Sequence, residues 1–396
     1  MTDRTFLQTA DRLQGINPFR VMTVLERARI LEAQGRQIVH LEVGEPDFVT
    51  ASPILEAGRL ALAQGYTGYT PAAGLPQLRQ RIAELYHHRH GLTIDSQRVF
   101  VTPGASGALV LLAQMLLNPG DGVMMTDPGY PCNRNFVRLA GAQAQLVPVD
   151  AASHYQLTPQ LLDAHVTPAT RAVWLASPSN PTGTVLDRDG LRAVSEWCTA
   201  RGIHLLVDEI YHGLDYVGGL PSALEISPDA IIVNSFSKYF GMTGWRLGWF
   251  VVPEALVQPS NILAQNLFIS ASTIAQHAAL RAFDDDAVAI FEQRRDAFAQ
   301  RRRFLLDALP SLGFSVDVEP EGAFYIYAGI QGISDNSEHF CQTLLEHFGV
   351  AVTPGTDFGE FRCDRHVRFA FTTGMPQLEQ AVERLEQAVT SGRLTR

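Results

Sequence analysis

Short apolar runs alternate with longer amphipathic stretches along most of the chain. From about residue 52, seven of these runs carry Val, Leu and Ile without polar alternation, which is typical of strands buried on both faces of a parallel sheet. The predicted strands are Val99–Thr102, Gly122–Thr126, Gln145–Val149, Ala172–Ala176, His204–Val207, Ala230–Asn234 and Leu247–Val252. The stretches between them have the length of crossover helices, for example Asp189–Ala200, which ends before Gly202. The pattern predicts an α/β fold with a large domain in which helices cover a mostly parallel central sheet.

The two ends of the chain follow a different pattern. Near the N-terminus, Met22–Ala33 is predicted as a helix and Ile38–Val43 as a short strand. Near the C-terminus, a long helix over Val288–Leu309 precedes a strand pair at Phe324–Tyr327 and His366–Phe371, and a final amphipathic helix follows. We therefore predict a smaller α+β domain formed by both chain ends. The expected division is residues 1–48 for an N-terminal arm and part of the small domain, 49–280 for the large domain, and 281–396 for the small C-terminal domain.

The composition indicates a folded protein and argues against several classes of partner. The chain has 396 residues, of which 46% are hydrophobic and 18% are charged, enough for a sizeable core. Its formal net charge of −10 argues against nucleic acid or an anionic membrane surface as the main partner. No apolar run reaches the length of a membrane span, and Met1–Ala10 lacks the apolar region of a signal peptide, so we expect a cytoplasmic protein. The four cysteines lack metal-binding spacing, and no metal site is predicted.

The segment Asn234–Trp249 carries the most informative chemistry. In its sequence NSFSKYFGMTGWRLGW, Lys238 follows the hydroxyl residues Ser235 and Ser237 and precedes Arg246. A lysine that forms a Schiff base needs a fixed, sheltered place. A phosphate group beside it needs hydroxyls and a fork-shaped cation. One short segment supplies both, which indicates an enzyme that binds pyridoxal phosphate (PLP).

A further anion site is predicted where the strand Val99–Thr102 meets an apolar helix. The turn between them contains Gly104, Ala105 and Ser106. The free N–H groups at the start of a helix, together with its dipole, favour a phosphate. An ordinary strand-to-helix turn in which Ser106 caps the helix is an equally good interpretation of this segment alone.

Three other predicted strands are followed by polar or aromatic residues. Tyr130 lies in DPGYP and Asn180 in SPSNPTG, where the neighbouring prolines restrict the backbone. Asp208 and Tyr211 lie in VDEIY. Ligands of α/β proteins bind at the carboxyl ends of the strands, and a carboxylate there would keep a pyridine nitrogen protonated. Glu209 alternates to the opposite side of the strand and is expected to be structural.

Arg368 is the remaining charged residue of interest. It lies between apolar residues of a predicted strand, in VRFAF. A guanidinium group in such a place is costly unless it is paired, and its planar fork suits a carboxylate. Arg368 is therefore a candidate for binding an acidic ligand.

These motifs, in this order from about Asn17 to about Ala388, resemble those of the class I/II aminotransferases, the aspartate-aminotransferase-like PLP enzymes of fold type I. The resemblance implies that residues 49–280 form a PLP-binding domain and that Lys238 carries the cofactor as a Schiff base and moves the substrate proton. The implied cofactor-binding residues are Ala105, Ser106, Tyr130, Asn180, Asp208, Tyr211, Ser235, Ser237, Arg246 and Tyr69. The implied substrate-binding residues are Gly44, Asn180 and Arg368.

The resemblance also assigns a role to each group. Ala105, Ser106, Ser235, Ser237 and Arg246 are implied to hold the phosphate. Tyr130 is implied to stack on the cofactor ring, Asp208 to pair with its nitrogen, and Asn180 and Tyr211 to bond its phenolic oxygen. Gly44 and Arg368 are implied to meet the substrate carboxylate. Tyr69, in YTGYTPAAG, is implied to reach the phosphate of a second subunit, which predicts a homodimer with shared active sites.

The substrate and the reaction are less constrained by the motifs. Family members specific for dicarboxylates use a second arginine, and Gln265–Thr273 offers no clear equivalent, so neutral or aromatic L-amino acids and a 2-oxo acid acceptor are favoured. Phe19, Arg20 and Tyr327 are candidates for the side-chain pocket, with Arg20 expected rather at the surface or an interface. A C–S β-lyase on the same scaffold would need the same residues. The ligand-binding domain of a transcription regulator is disfavoured by the short arm before Asn17 and by the net charge. A nucleotide-binding protein is disfavoured because Gly104–Gly107 lacks both G-x-G-x-x-G and a Walker lysine.

Overall fold

The computed structural model describes residues 9–394. The strands are β1 (Val39–His40), β2 (Val99–Thr102), β3 (Gly122–Asp127), β4 (Gln143–Pro148), β5 (Thr170–Ala176), β6 (His204–Asp208), β7 (Ile231–Ser235), β8 (Gly248–Val251), β9 (Tyr325–Gly329), β10 (Val350–Ala351), β11 (Thr353–Pro354) and β12 (His366–Ala370). The helices are α1 (Arg20–Ala33), α2 (Ser52–Ala63), α3 (Pro76–His90), α4 (Gly104–Leu116), α5 (Pro131–Leu139), α6 (Pro159–His165), α7 (Arg188–Arg201), α8 (Val257–Leu267), α9 (Thr273–Ala279), α10 (Asp285–Ser311), α11 (Ser337–Thr343) and α12 (Met375–Thr390).

A seven-stranded sheet forms the centre of the molecule, in the order β2-β8-β7-β6-β5-β3-β4. Strand β8 runs antiparallel to both of its neighbours, and the other pairs are parallel. The seven predicted strands match these seven strands with end points that differ by at most two residues. The prediction of a mostly parallel α/β sheet is confirmed.

The non-alternating apolar runs arise because both faces of this sheet are covered. Along β5, Val173 and Leu175 belong to the core on one face, whereas Ala172 and Trp174 belong to the core on the other. All four side chains are buried. Since successive strand residues point to opposite faces, a polar residue at any of these positions would be removed from water.

The two chain ends meet in the smaller part of the fold, as predicted. Strands β11, β12 and β9 form a three-stranded antiparallel sheet, in which Arg368 lies opposite Tyr327. Strand β1, from the N-terminal side, pairs in parallel with β10 from the C-terminal side. Hydrogen bonds from Ala370 N to Leu41 O and from Asp47 N to Thr372 O extend this contact. The expected domain boundaries at residues 48 and 280 stay a prediction.

The strand predicted over Ile38–Val43 is longer than the observed β1. The ladder with β10 ends at His40, although Leu41 N still donates to Ala351 O. Beyond that point the carbonyl of Glu42 accepts from the side chain of Arg368, and that of Gly44 accepts from Lys238. After β1, the carbonyls of Glu42 and Gly44 therefore accept hydrogen bonds from side chains and not from the backbone of β10. None of the helices described is long and apolar enough to cross a membrane.

Candidate active site

A single cavity lies where the carboxyl ends of β5, β6 and β7 face the three-stranded sheet. It encloses about 1070 Å³ of empty space, including its open mouth. Every sequence-predicted site residue except Tyr69 lines it: Gly44, Ala105, Ser106, Tyr130, Asn180, Asp208, Tyr211, Ser235, Ser237, Lys238, Arg246 and Arg368. These residues come from both the central sheet and the smaller sheet, so the fold has gathered motifs that are more than 300 positions apart.

Lys238 follows β7 and projects across the cavity. Its Nζ donates a hydrogen bond of 2.7 Å to Gly44 O and lies 5.8 Å from the ring centre of Tyr211 and 5.6 Å from that of Phe324. The residue is half-buried. The amine is thus held by one neutral carbonyl and two aromatic faces, a setting that limits its motion and leaves two of its three N–H donors available to a ligand.

Asp208 is the last residue of β6 and is buried at the floor of the cavity. Its Oδ1 accepts a 3.1 Å hydrogen bond from Ile210 N. Burial raises the pKa of this carboxyl to about 7, while the Ile210 N–H and the charge of Lys238 act in the opposite direction. A ligand that placed a cationic N–H donor beside Asp208 would stabilise the ionised form and reverse this shift.

The neighbouring Glu209 takes no part in the cavity. Its carboxylate accepts hydrogen bonds from Ser222 Oγ at 3.0 Å and from Ala223 N at 2.8 Å. It fixes the turn that follows β6 from the opposite side of the strand. The expectation that Glu209 is structural is confirmed.

Arg368, on β12, is buried beside Asn180. Its Nη1 donates to Asn180 Oδ1 at 2.9 Å, and its Nη2 donates to Glu42 O and, at 3.4 Å, to Thr353 Oγ1. Its Nε is buried and has no hydrogen-bond partner in the part of the chain that the structure describes. These acceptors are neutral oxygens, and among the described residues no carboxylate forms an ion pair with Arg368, although its charge acts on Asp357. An anion entering here would therefore meet a guanidinium without an ion-pair partner.

An anion cradle forms at the start of α4. Gly104 has a φ of +71°, and a Cβ at this position would lie 2.6 Å from Arg246 Nη2. A Cβ on Gly248 would lie 2.6 Å from Ala105 N. The two glycines therefore allow the helix start and the guanidinium to approach each other closely.

Arg246 and the hydroxyl residues around this cradle form no ion pair with a carboxylate among the described residues. Arg246 Nη1 donates to Thr243 O at 3.1 Å. Ser235 Oγ accepts from Ser237 N at 3.0 Å and donates a long hydrogen bond of 3.4 Å to Leu247 O, which a stronger acceptor in the cavity could replace. Arg246 is exposed to solvent in the single chain.

Tyr130 forms another wall of the cavity, directly before α5. Its ring lies edge-on to Phe19, with ring centres 6.3 Å apart. Burial raises the pKa of its hydroxyl well above the ordinary value, so the group stays neutral. The side chain can therefore offer a flat, uncharged surface to a ligand.

Tyr69 is the one predicted site residue outside this cavity. Its side chain is 83% exposed. Tyr69 is predicted to reach the site of a second subunit. It lies on the surface of the single chain, and its role there stays a prediction. Tyr66, three residues earlier, instead stacks on His277 with a ring separation of 4.4 Å.

Three residues considered for the side-chain pocket have different locations. Phe19 lines the cavity, as expected. Arg20 is half-exposed and pairs with Glu338 at 2.9 Å. Tyr327 was expected near the substrate, but it faces a second cavity with Tyr155 and His366, where its ring stacks on that of His366 with ring centres 4.7 Å apart.

Sequence analysis missed Tyr325. It begins β9, lines the cavity, and its hydroxyl lies 3.0 Å from that of Tyr211. Its ring centre lies 4.3 Å from Arg368 Cζ. The sequence places Tyr325 in a predicted strand with a second tyrosine two residues later, but the register against β12, which decides their contacts, cannot be read from the chain.

Comparisons with known proteins identify the family of this chain. Residues 36–385 match the family described as Aminotransferase class I and II. A valine–pyruvate aminotransferase of Mycobacterium tuberculosis is 38% identical over 97% of this chain and 98% of that protein. An aspartate/prephenate aminotransferase of Thermus thermophilus is 36% identical over 96% of this chain and 98% of that protein.

Solved structures show the same fold. The crystal structure of an aminotransferase from Mycobacterium tuberculosis has a TM-score of 0.93, with 38% identity over 97% of this chain and 100% of that chain. Aspartate aminotransferase from Thermus thermophilus with maleate has a TM-score of 0.92, with 35% identity over 96% of this chain and 100% of that chain. The chain therefore belongs to the class I and II aminotransferases, of the aspartate aminotransferase type, and is a transferase enzyme.

Proposed function

We propose that this enzyme uses PLP, held covalently by Lys238, to move an amino group from an L-amino acid to a 2-oxo acid in two separate half-reactions. Neutral or aromatic amino acids are the favoured donors over dicarboxylic ones. The observation that carries the proposal is the convergence of Lys238, Asp208 and Arg368 on one cavity. An amine, a buried carboxyl and a buried guanidinium are the three functions that amino-group transfer requires.

The donor set of the cavity fits PLP. Asp208 has a raised pKa, and among the described residues Lys238 is the one cation that acts on it, as expected where a pyridinium N–H is to bind. The cradle of Ala105, Ser106 and Arg246 lacks a carboxylate among the described residues and suits a phosphate. Ser235 and Ser237 would add hydroxyl donors, Tyr130 a stacking face, and Asn180 and Tyr211 hydrogen bonds to the phenolic oxygen.

PLP, when bound, supplies an aldehyde that condenses with amines and a ring that withdraws electrons from the neighbouring carbon. The protein supplies the proton transfer and the orientation. Lys238 Nζ, held by Gly44 O, would move the proton at the substrate Cα. Arg368 would bind the substrate carboxylate, with Gly44 at the same end of the cavity.

The walls of the cavity support a neutral or aromatic donor. Apolar side chains line much of it: Phe19, Val21, Met22, Val43, Leu109 and Ile210. The basic residues that line it are Lys238, Arg246 and Arg368, and each already has a proposed role. Glu45 also lines it and would repel a second carboxylate. The relatives are named for both kinds of substrate, valine–pyruvate and aspartate/prephenate, and favour neither kind of donor for this enzyme.

A homodimer with shared active sites is part of the proposal. Tyr69 is exposed, as are Leu62 near the end of α2 and Tyr66 in the segment that follows it. Exposed apolar and aromatic groups close together suit a subunit contact. We also propose the domain division at residues 48 and 280 and a cytoplasmic location, both from the sequence. The C–S β-lyase alternative is not favoured, because the relatives are named aminotransferases.

A spectroscopic titration tests this function. Purified protein with added PLP should show an absorption band above about 400 nm. A panel of L-amino acids without acceptor should bleach it, fastest for neutral or aromatic donors, and a 2-oxo acid should restore it. A band that no amino acid bleaches, together with pyruvate and ammonia release from cystathionine, would instead indicate the lyase.

A further inference from the structure

Tyr325 occupies a position that connects the two sides of the cavity. It is the first residue of β9 and pairs with Ala370 on β12, two positions from Arg368. Residues on facing antiparallel strands that are offset by two lie diagonally on one face, within reach of long side chains. Tyr325 and Arg368 therefore share the face that lines the cavity, and both are buried.

Its ring supports the guanidinium of Arg368. The ring centre lies 4.3 Å from Arg368 Cζ, and Phe358 lies on another side at 4.8 Å. Aromatic faces attract a guanidinium and restrict the orientations it can adopt. Since the hydrogen bonds of Arg368 go to neutral oxygens of three residues, the ring is a further constraint on the direction of its fork.

Its hydroxyl is directed at Tyr211 and is tightly enclosed. The two hydroxyl oxygens lie 3.0 Å apart. On the other side, a Cβ on Gly44 would lie 1.8 Å from Tyr325 Oη, so only glycine leaves room for this hydroxyl. Gly44 thus allows the hydroxyl of Tyr325 to lie beside the backbone and within hydrogen-bond distance of Tyr211.

The single proton on each hydroxyl fixes the direction of donation. When Tyr211 donates its single proton into the cavity, the hydrogen bond between the two hydroxyls can form only with Tyr325 as the donor. A hydroxyl that accepts a hydrogen bond becomes a stronger donor itself. The pair Tyr325–Tyr211 is then a two-member relay that points toward the cavity.

We propose that Tyr325 is a positioning residue that acts on both sides of the reaction centre. Its hydroxyl strengthens Tyr211 as a donor to the cofactor, and its ring orients Arg368 for the substrate carboxylate. The inference rests on the proposed function, since it assumes that Tyr211 serves PLP and that Arg368 serves the substrate.

Tyr327 provides a matched control on the same strand and the same face. It is buried, two residues further along β9, and its hydroxyl has no hydrogen-bond partner among the described residues. It faces the second cavity and not the candidate active site. Loss of its hydroxyl should therefore leave the cofactor and Arg368 unaffected.

The hydroxyl is tested by the pH dependence of the cofactor absorption band in holoenzyme carrying Tyr325→Phe or Tyr327→Phe. A donor to the phenolic oxygen stabilises the deprotonated form of the bound cofactor, so weakening Tyr211 should raise the pH midpoint. We expect a rise of about 0.5 unit for Tyr325→Phe and no change for Tyr327→Phe. Equal midpoints in the two variants would overturn the relay. No band even in the unaltered protein with PLP would instead overturn the proposed function itself.

The ring is tested by the dissociation constant of 3-phenylpropanoate, a carboxylate without an amino group, measured by its effect on the same band. Tyr325→Phe keeps the ring and should bind it within about 2-fold of the unaltered enzyme. Tyr325→Leu should weaken binding by about 5- to 10-fold, beyond any loss in Tyr327→Leu. Equal losses in the two leucine variants would overturn the role of the ring, and thermal unfolding of each variant separates a folding defect from either result.

Discussion

The inner wall and the outer rim of the cavity differ in how complete they are within one chain. The inner wall, formed by Asp208, Tyr211 and Arg368, is buried, and each side chain has a hydrogen bond inside the chain. The outer rim, at Arg246, is exposed, and so is Tyr69, which lies outside this chain's cavity and is predicted to reach the rim of a partner subunit. One chain thus preorganises the chemistry but leaves the phosphate end open to solvent. A second subunit over the rim would exclude water from that end, where buried charge interactions are strongest.

The largest expected effect is on the inner side, at the amine. Lys238→Ala removes the group that would hold the cofactor and move the substrate proton, and we expect transaminase activity to fall by more than about 1000-fold. Lys238→Arg, which keeps a positive charge but cannot condense with an aldehyde, should be equally inactive. Steady-state rates with added PLP measure both. Retention of more than a few per cent of the activity in either variant would contradict the assignment.

The next effect concerns the guanidinium of the inner wall. Arg368→Lys keeps the charge but loses the planar fork, so kcat/KM should fall by about 100-fold, mainly through KM. The control is Arg362→Lys, six residues earlier, where the side chain is 56% exposed and lies 3.5 Å from Asp150. That variant should change kcat/KM by less than about 2-fold. Similar losses in both variants would show that Arg368 has no special role.

Asp208, on the inner wall, is expected to make the stability of the apoprotein depend on pH. In protein without cofactor, its carboxyl has a pKa of about 7 when folded, raised by burial above the ordinary value of 3.8. Between these two values the folded state binds more protons than the unfolded state, so this group lowers stability as the pH rises through that window. Asp208→Asn should therefore be more stable than the unaltered apoprotein at pH 8 by about 4 kcal/mol, with the difference shrinking toward pH 4.

Denaturant unfolding of both apoproteins at several pH values measures this difference. Added PLP should reverse it at pH 8, because a bound pyridinium favours the ionised carboxylate. The same ranking of the two proteins at pH 8 with and without PLP would mean that Asp208 does not meet the cofactor.

The smallest expected effect is at the outer rim. Tyr69→Phe should weaken PLP retention by about 5-fold if its hydroxyl reaches the phosphate of a partner subunit. Tyr66→Phe is the matched control, because Tyr66 stacks on His277 through its ring. Cofactor release is measured by dialysis at protein concentrations above and below the dimer dissociation constant. If the two variants retain PLP equally well as dimers, Tyr69 does not contact the cofactor phosphate.

The same contrast explains what the sequence could and could not predict. The strands of the central sheet were predictable because burial on both faces leaves uninterrupted apolar runs, and the polar residues that follow them lie together because parallel strands end at one edge. The predicted strand Ile38–Val43 was too long because side chains of Arg368 and Lys238 take the carbonyls of Glu42 and Gly44.

Contacts that depend on the register of paired strands could not be predicted from the sequence. Tyr325 and Tyr327 are equivalent in the sequence pattern, yet one contacts Tyr211 and Arg368 and the other lies in a separate cavity. Their positions follow from the pairing of β9 with β12, which places Tyr327 opposite Arg368 and Tyr325 opposite Ala370. A shift of one residue would turn both side chains to the other face of the sheet.

The most direct test of the central claim is to locate the covalent attachment of the cofactor. Protein incubated with PLP is treated with sodium borohydride, which makes the bond between an amine and an aldehyde permanent, and is then digested and analysed by mass spectrometry. The account predicts one modified peptide, with the added mass on Lys238. Modification of another amine, or of none, would contradict it.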